Sequence, residues 1–326
     1  MKHNLRREGY CYRLRPVKLE DAEFIIKIRL EDRERTKYIH EIPNDIESEK
    51  QWIEKYFERP GDYFFVVEDK FINEKVGLIA IYDEENGSAE WGRWVIKQGS
   101  LAAVESVCLL YQIAFDQLQL RELYCRTVED NQSVVNFHAS TGLKVRKIHE
   151  KMFELRGDFY NAVEQYIDRD LFYNSVETNL NQKSFMLFKR VLKKNVGKFE
   201  FDHIGIACKN IVKEMQTFQM LGYQFEAVSF KDDNQGIIGR FGTAQGQPKI
   251  ELLSNMEGSA TLDPYLEKGI KMYHFAYLVN DIQKASCYLE KCNAKLMSPR
   301  KRSIYFGKDI CFYMLPNMML IELVEV

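Results

Sequence analysis

The sequence predicts an α/β protein of the α+β kind, built as a mixed helix-and-strand domain followed by a strand-rich domain that is itself duplicated. Three observations carry this. The chain has 326 residues, more than one hydrophobic core usually organises. Its 45% hydrophobic and 13% aromatic content supports packed cores and excludes a disordered chain. Residues 199–326 repeat with a period of 71 residues, which points to duplication of one supersecondary unit.

The elements follow in order. Tyr12–Arg15 reads as a short strand, followed by Pro16 and an amphipathic helix through Ala22, Ile25, Ile26 and Ile28. A second helix spans roughly Ile46 to Phe57. Strands are expected at Tyr63–Glu68, Val76–Tyr82 and Ala89–Ile96, the first two as an antiparallel pair. A long helix from Leu101 to Leu118 keeps apolar spacing through Val104, Cys108, Tyr111 and Phe115. Leu123–Val128 reads as a strand and Ser133–Thr141 as a helix closed by Gly142. Asn174 to Lys198 is polar, then helical, with Lys193 and Lys194 before Gly197 as a C-terminal signal. The expected division is therefore 1–173, a helical linker 174–198, and 199–326.

Charge and cysteine usage exclude several function classes. Lys and Arg total 46 against 48 acidic residues, of which 14 and 15 lie in residues 199–326. Neither half has the basic surplus of a nucleic-acid or anionic-membrane binder. Seven Cys without a CxxC pair argue against a disulfide framework or a thiolate zinc site. No apolar run reaches about 18 residues and no basic-then-apolar N-terminus appears, so a cytoplasmic protein is expected.

The repeat carries chemistry. Asp202-His203-Ile204-Gly205-Ile206-Ala207-Cys208 resembles Tyr273-His274-Phe275-Ala276-Tyr277-Leu278-Val279. Ile211 and Ile282 follow each His by eight residues, and Lys213 and Lys284 by ten. Ile250-Glu251-Leu252 and Ile321-Glu322-Leu323 close the copies, each Glu 48 residues after its His. An ionisable group on an apolar strand is costly to bury alone. Pairing the copies about a two-fold would bring His203, Glu251, His274 and Glu322 together as a divalent-metal site. The competing reading has the glutamates at strand ends in solvent and the histidines satisfied in the core.

On these residues, Phe201 to Val326 resembles the vicinal-oxygen-chelate family, which includes glyoxalase I and methylmalonyl-CoA epimerase. The resemblance implies a cup of paired βαβββ units, one divalent metal on those four residues, and metal-assisted proton abstraction beside a carbonyl. Arg302-Ser303-Ile304-Tyr305-Phe306-Gly307 stands where the epimerases have a Gly-rich segment.

In the first half, Gln98-Gly99-Ser100 before Ala102 and Ala103 opens backbone N–H groups at a helix start, a setting suited to phosphate but common in ordinary caps. Asp130-Asn131-Gln132-Ser133 leads through Phe137-His138 to Gly142-Leu143. Together these resemble the GNAT acyltransferase superfamily over residues 11–170. Ile148–Leu155 and Val163–Leu171 supply its final strands, and Ala89-Glu90-Trp91-Gly92 opens its central strand in a mixed sheet. Leu101, His138 and Leu143 depart from the family's usual Gly, Tyr and Phe.

The resemblance implies an acyl-CoA donor held by Val95, Gln98, Gly99, Ser100, Ala102, Ala103 and Asn131. Val95 N–H would polarise the thioester, Glu90 would take the amine proton, and His138 would protonate the thiolate. The competing reading puts Glu90 on the surface and His138 on an exposed helix face. Asp32, His40 and Glu41 are further acid–base candidates in a charged stretch. The expected acceptor is a small amine, foremost a nucleotide-linked amino sugar for surface polysaccharide, acted on by a homo-oligomer without nucleic-acid or membrane partners. Alternatives are a bifunctional acyltransferase and metal-dependent acyl-thioester epimerase, a non-catalytic binding or resistance module, and a ribosomal-protein acetyltransferase.

Overall fold

The computed structural model describes residues 2–32 and 34–326. The chain forms two compact units that divide between Lys189 and Arg190.

The first unit opens with β1 (Arg7–Glu8), β2 (Tyr12–Pro16), α1 (Ala22–Leu30) and α2 (Ile46–Phe57). Asp45 starts α2 by accepting the Ser48 N–H at 2.8 Å, satisfying one of the free donors at a helix start. β3 (Tyr63–Asp69), β4 (Glu74–Glu85) and β5 (Ser88–Ile96) form an antiparallel meander. α3 (Ala102–Gln112), β6 (Glu122–Val128), α4 (Gln132–Ser140), β7 (Lys144–Leu155) and β8 (Asp158–Asp168) complete the sheet. Its strand order is β1-β2-β3-β4-β5-β6-β8-β7, with only β5 and β6 parallel. Ile25, Ile28, Ile53 and Tyr56 pack on Phe64, Val66 and Leu78, so α1 and α2 cover one face.

Two expectations are corrected at element ends. The long helix is α-helical only to Gln112, and Ile113–Gln117 continues as a π-helical turn. The last strand stops at Asp168 rather than Leu171. Asp168 accepts the Leu171 N–H at 2.7 Å, which starts α5 (Arg169–Leu171) and leads through a π-helical turn into α6 (Glu177–Asn195).

The position of β5 matters most. Its pairing with β6 runs from Ser88–Glu122 to Glu90–Tyr124 and stops, although both strands continue. On the other side, the pairing with β4 shifts register between Leu78 and Ala80, where Arg93 adopts a left-handed φ of 46°. A bulge of this kind bends the strand and opens a wedge beside it.

The second unit contains β9 (Phe199–Ala207), α7 (Ile211–Gln219), β10 (Gln224–Phe225), β11 (Phe230–Asp232), β12 (Ile237–Thr243) and β13 (Lys249–Asn255). α8 (Asp263–Leu266) connects them to β14 (Met272–Val279), α9 (Ile282–Lys291), β15 (Lys295–Arg302), β16 (Asp309–Met314) and β17 (Leu320–Glu325). The repeat is visible in the helix starts: Asn210 accepts the Lys213 N–H at 3.0 Å and Asp281 the Lys284 N–H at 2.9 Å. The sheet order is β10-β12-β13-β9-β14-β17-β16-β15, with β11 on β12. β9–β13 and β14–β17 are parallel pairs, and β9–β14 is the antiparallel seam between the copies.

Candidate functional site

The seam places the repeated residues by register alone. His203 pairs with Ala276 and His274 with Gly205 across β9–β14. Glu251 pairs with Gly205 on β13, and Glu322 with Ala276 on β17. Neighbours across a sheet share a face, as do residues two apart on one strand. All four ionisable residues therefore stand on one face, with Gly205 and Ala276 as the small residues between them. A Cβ on Gly205 would lie 2.2 Å from His274 Cε1, so the imidazole needs that glycine.

The four side chains meet in a buried cluster, which excludes solvent-facing strand ends for the glutamates. Their ligand atoms lie within 4.8 Å of one another. His203 Nε2 is 3.3 Å from Glu251 and 3.6 Å from Glu322, and His274 Nε2 is 3.4 and 3.3 Å from the same carboxylates. The two Nε2 atoms are 3.2 Å apart. A divalent ion with bonds of about 2.1 Å spaces adjacent ligand atoms by roughly 3.0–3.4 Å. Glu322 Oε2 is buried without a hydrogen bond, an arrangement that calls for a cation. These residues fit a divalent metal.

Outer groups prepare the site. His203 Nδ1 donates to Asp202 at 2.8 Å, which leaves Nε2 to face the centre, and Lys249 holds the same carboxylate at 3.2 Å. Burial alone would lower the His203 imidazole. Hydrogen bonding to Asp202 and Glu251 and the charges of Glu251 and Glu322 outweigh it and raise it to about 9. Phe241 and Phe306 face His203, and Phe312 faces His274, forming an aromatic wall.

The wedge beside β5 forms a second site. One cavity of about 750 Å³ takes in Glu90, Arg93, Val95, Arg126, Asn131 and His138. A second of about 920 Å³ takes in Val95, Gln98, Gly99, Ser100, Ala103 and Asn131. Val95 and Asn131 line both, so the cavities meet at the parted strands. Ala102 lies outside this lining. It is buried at the start of α3, and its N–H donates to Ser100 Oγ at 3.3 Å. Of the charged-stretch candidates, His40 and Glu41 line the first cavity and Asp32 the second.

Glu90 and His138 are buried, not surface residues. Glu90 accepts from Arg126 Nη1 at 2.9 Å and from the Tyr82 hydroxyl at 3.4 Å. Burial pushes its carboxyl up to about 7 against the pull of Arg126. His138 lies with its ring 4.8 Å from that of Trp91 at an angle of 60°, and its Nδ1 is 3.2 Å from Cys125 Sγ and 3.3 Å from Thr127 Oγ1. Burial lowers it to about 4, so the ring is neutral near pH 7 and must gain a proton before it can deliver one. Arg93 holds Asp62 through two bonds of 2.6 and 3.0 Å and lies 4.5 Å over the Tyr82 ring. Arg93, Arg126 and Tyr82 are site residues that sequence reasoning missed. A lone charge on an apolar strand, such as Arg126, is the one signal that could have marked it.

Residues 12–144 match the family description "Acetyltransferase (GNAT) domain", and residues 202–312 match "Glyoxalase/Bleomycin resistance protein/Dioxygenase superfamily". No curated protein matches the chain. Among solved structures it is similar to a GCN5-related N-acetyltransferase from Brucella melitensis, 20% identical with a TM-score of 0.49, covering 57% of this chain and 86% of that one. It is similar to an apo nucleotide-linked sugar GNAT, FdhC, 26% identical with a TM-score of 0.43, covering 58% and 98%. A chimera of the spermidine N-acetyltransferase SpeG from Vibrio cholerae is 21% identical with a TM-score of 0.46, covering 50% and 98%. The chain thus carries a GNAT acetyltransferase domain and a glyoxalase-type domain.

Proposed function

From these two domains, we propose that the protein is an acyl-CoA-dependent N-acyltransferase that modifies a small anionic amine, foremost a nucleotide-linked amino sugar. The observation that carries the reading is Glu90, a buried carboxyl that lines the first cavity at the last β5–β6 pair, where the strands part. The donor's pyrophosphate would lie along Gln98, Gly99, Ser100 and Ala103, with Ala102 setting the helix start behind them and Asn131 closing the far side. Val95 N–H would polarise the thioester carbonyl. Glu90 would take the proton from the attacking amine. His138, neutral at rest, would serve the departing thiolate only after taking up a proton, and its contacts with Cys125 and Thr127 hold it in place meanwhile.

Charge supports the acceptor class. The first cavity is lined by Arg29, Arg35, Lys55, Arg93 and Arg126 against Glu41, Glu49 and Glu90. Arg93 is held by Asp62 and Arg126 by Glu90 and Glu164, which leaves Arg29, Arg35 and Lys55 to meet a phosphate. Such a lining favours an acceptor bearing phosphate and disfavours a polyamine. Thiol release measured with amino-sugar nucleotides and with polyamines, each with several acyl-CoAs, tests this. Turnover confined to polyamines overturns the acceptor assignment, and no release with any pair overturns the transferase reading.

In the second domain, His203, Glu251, His274 and Glu322 would hold one divalent ion. When bound, it would supply Lewis acidity toward a carbonyl oxygen. The complete ligand set and its aromatic wall favour a second reading in which this domain acts on an acyl thioester as an epimerase or isomerase. Absence of divalent metal from the purified protein, with no uptake on addition, would exclude it.

A further inference from the structure

Glu90 does not stand alone in its wedge. Arg126 donates from Nη1 to Glu90 at 2.9 Å and from Nε to Glu164 at 3.0 Å, so one guanidinium is shared by two carboxylates on different strands. Glu164 in turn faces His149 Nε2 at 2.8 Å and Arg146 Nη1 at 3.4 Å, both on β7. The line Glu90–Arg126–Glu164–His149 crosses β5, β6, β8 and β7. It runs from the cavity to a histidine side chain that is 21% exposed.

We propose that Arg126 and Glu164 are positioning residues that set how readily Glu90 gives up and takes a proton, with His149 as the solvent-side end of the network. The proposal rests on the reading of Glu90 as the base. Charge and geometry dictate the signs. Arg126 favours the ionised form of Glu90, while Glu164 opposes it twice, as a like charge and as a competitor for the same guanidinium. The other titratable and charged groups near Glu90 come from β4, β5 and β6. Tyr82 and Asp83 stand on β4, and Arg93 lies against Tyr82. Tyr124 and Cys125 flank it from β6. Burying Glu90 without a shared cation would raise it further, and giving it the cation outright would make it too weak a base. Dividing one arginine between two carboxylates holds it between these limits.

The test is a carbon-13 titration of glutamate side-chain carboxyls in the full-length protein, with Glu90→Gln identifying the Glu90 signal. Glu164→Gln is expected to lower the Glu90 midpoint by about one pH unit, and Arg126→Gln to raise it by a similar amount. Arg126→Lys keeps the charge, gives up the two-sided fork, and is expected to fall between wild type and Arg126→Gln, so the series remains readable if one variant folds poorly. Midpoints that stay put, or that move in the same direction in Glu164→Gln and Arg126→Gln, overturn the proposal. Because the titration needs no acceptor, it is independent of turnover. Opposite shifts combined with undiminished thiol release by Glu90→Gln would establish the coupling and discard Glu90 as the base.

Discussion

At the residue scale, the proposed base role of Glu90 makes a claim about pH. With burial raising its carboxyl to about 7, a base at this position would be protonated below that pH and unable to accept the amine proton. The kcat/KM for acyl transfer is therefore expected to fall as pH drops through about 7, and Glu90→Gln to lower it by roughly 10²–10⁴-fold and remove that limb. A pH–rate profile of both proteins checks this, and an unchanged limb in the variant would assign it to another group. Gly205 makes a different demand. Any side chain there meets the His274 ring at 2.2 Å, so Gly205→Ala is expected to displace one ligand and weaken divalent-metal affinity by about 10–100-fold. Isothermal titration with Zn²⁺ or Ni²⁺ reads it, and wild-type affinity would show that the ring can shift freely. The clustering of His203, Glu251, His274 and Glu322 was legible in the sequence because duplication wrote them twice at one spacing. The Arg126–Glu164 pair was not, since its members lie 38 residues apart and meet only through sheet order.

At the element scale, periodicity located most helices and strands because burial on one face imposes it. α2 spans the expected Ile46–Phe57, and β6 begins one residue before the expected Leu123. What failed were ends governed by local hydrogen bonds. Asp168 turns the chain into a helix where Val163–Leu171 still reads as strand, and the π-helical turn after Gln112 keeps the same apolar spacing as an α-helix. The order β6-β8-β7 also lies beyond any pattern along the chain. α3 hides a cost of its own. Glu105, 2% exposed on this helix, receives the Cys11 N–H at 3.1 Å. Burial nevertheless raises its carboxyl to about 7. The folded state then holds a proton that the unfolded state has released, so the contribution is fully present below pH 4.5 and is lost as pH rises toward 7. Glu105→Gln keeps the acceptor for Cys11 and cannot ionise. It is expected to stabilise the protein at pH 8 by roughly 2–3 kcal/mol and by little at pH 5. Thermal melts at both pH values measure it, and equal effects at the two would refute a titrating origin.

At the scale of the whole molecule, the named residues of each candidate site come from one unit. The network around Glu90 draws on residues 82 to 164, and the candidate metal ligands on residues 203 to 322. The proposed acyl transfer needs a base, N–H donors and a pyrophosphate cradle, and none of the residues proposed for them belongs to the His/Glu cluster. Acyl transfer is therefore expected to survive treatment with a strong chelator within about twofold, and to survive in His274→Ala, whose metal content should fall below one-tenth of wild type. The comparison works because the two readouts are separable: thiol release follows the first domain, and elemental analysis follows the second. If transfer falls in proportion to metal in both the chelated protein and the variant, the two domains share one reaction. If transfer persists while metal is lost, the His/Glu cluster must be explained by chemistry of its own, and the search for its substrate begins with carbonyl compounds that fit an aromatic-walled centre of two imidazoles and two carboxyl groups.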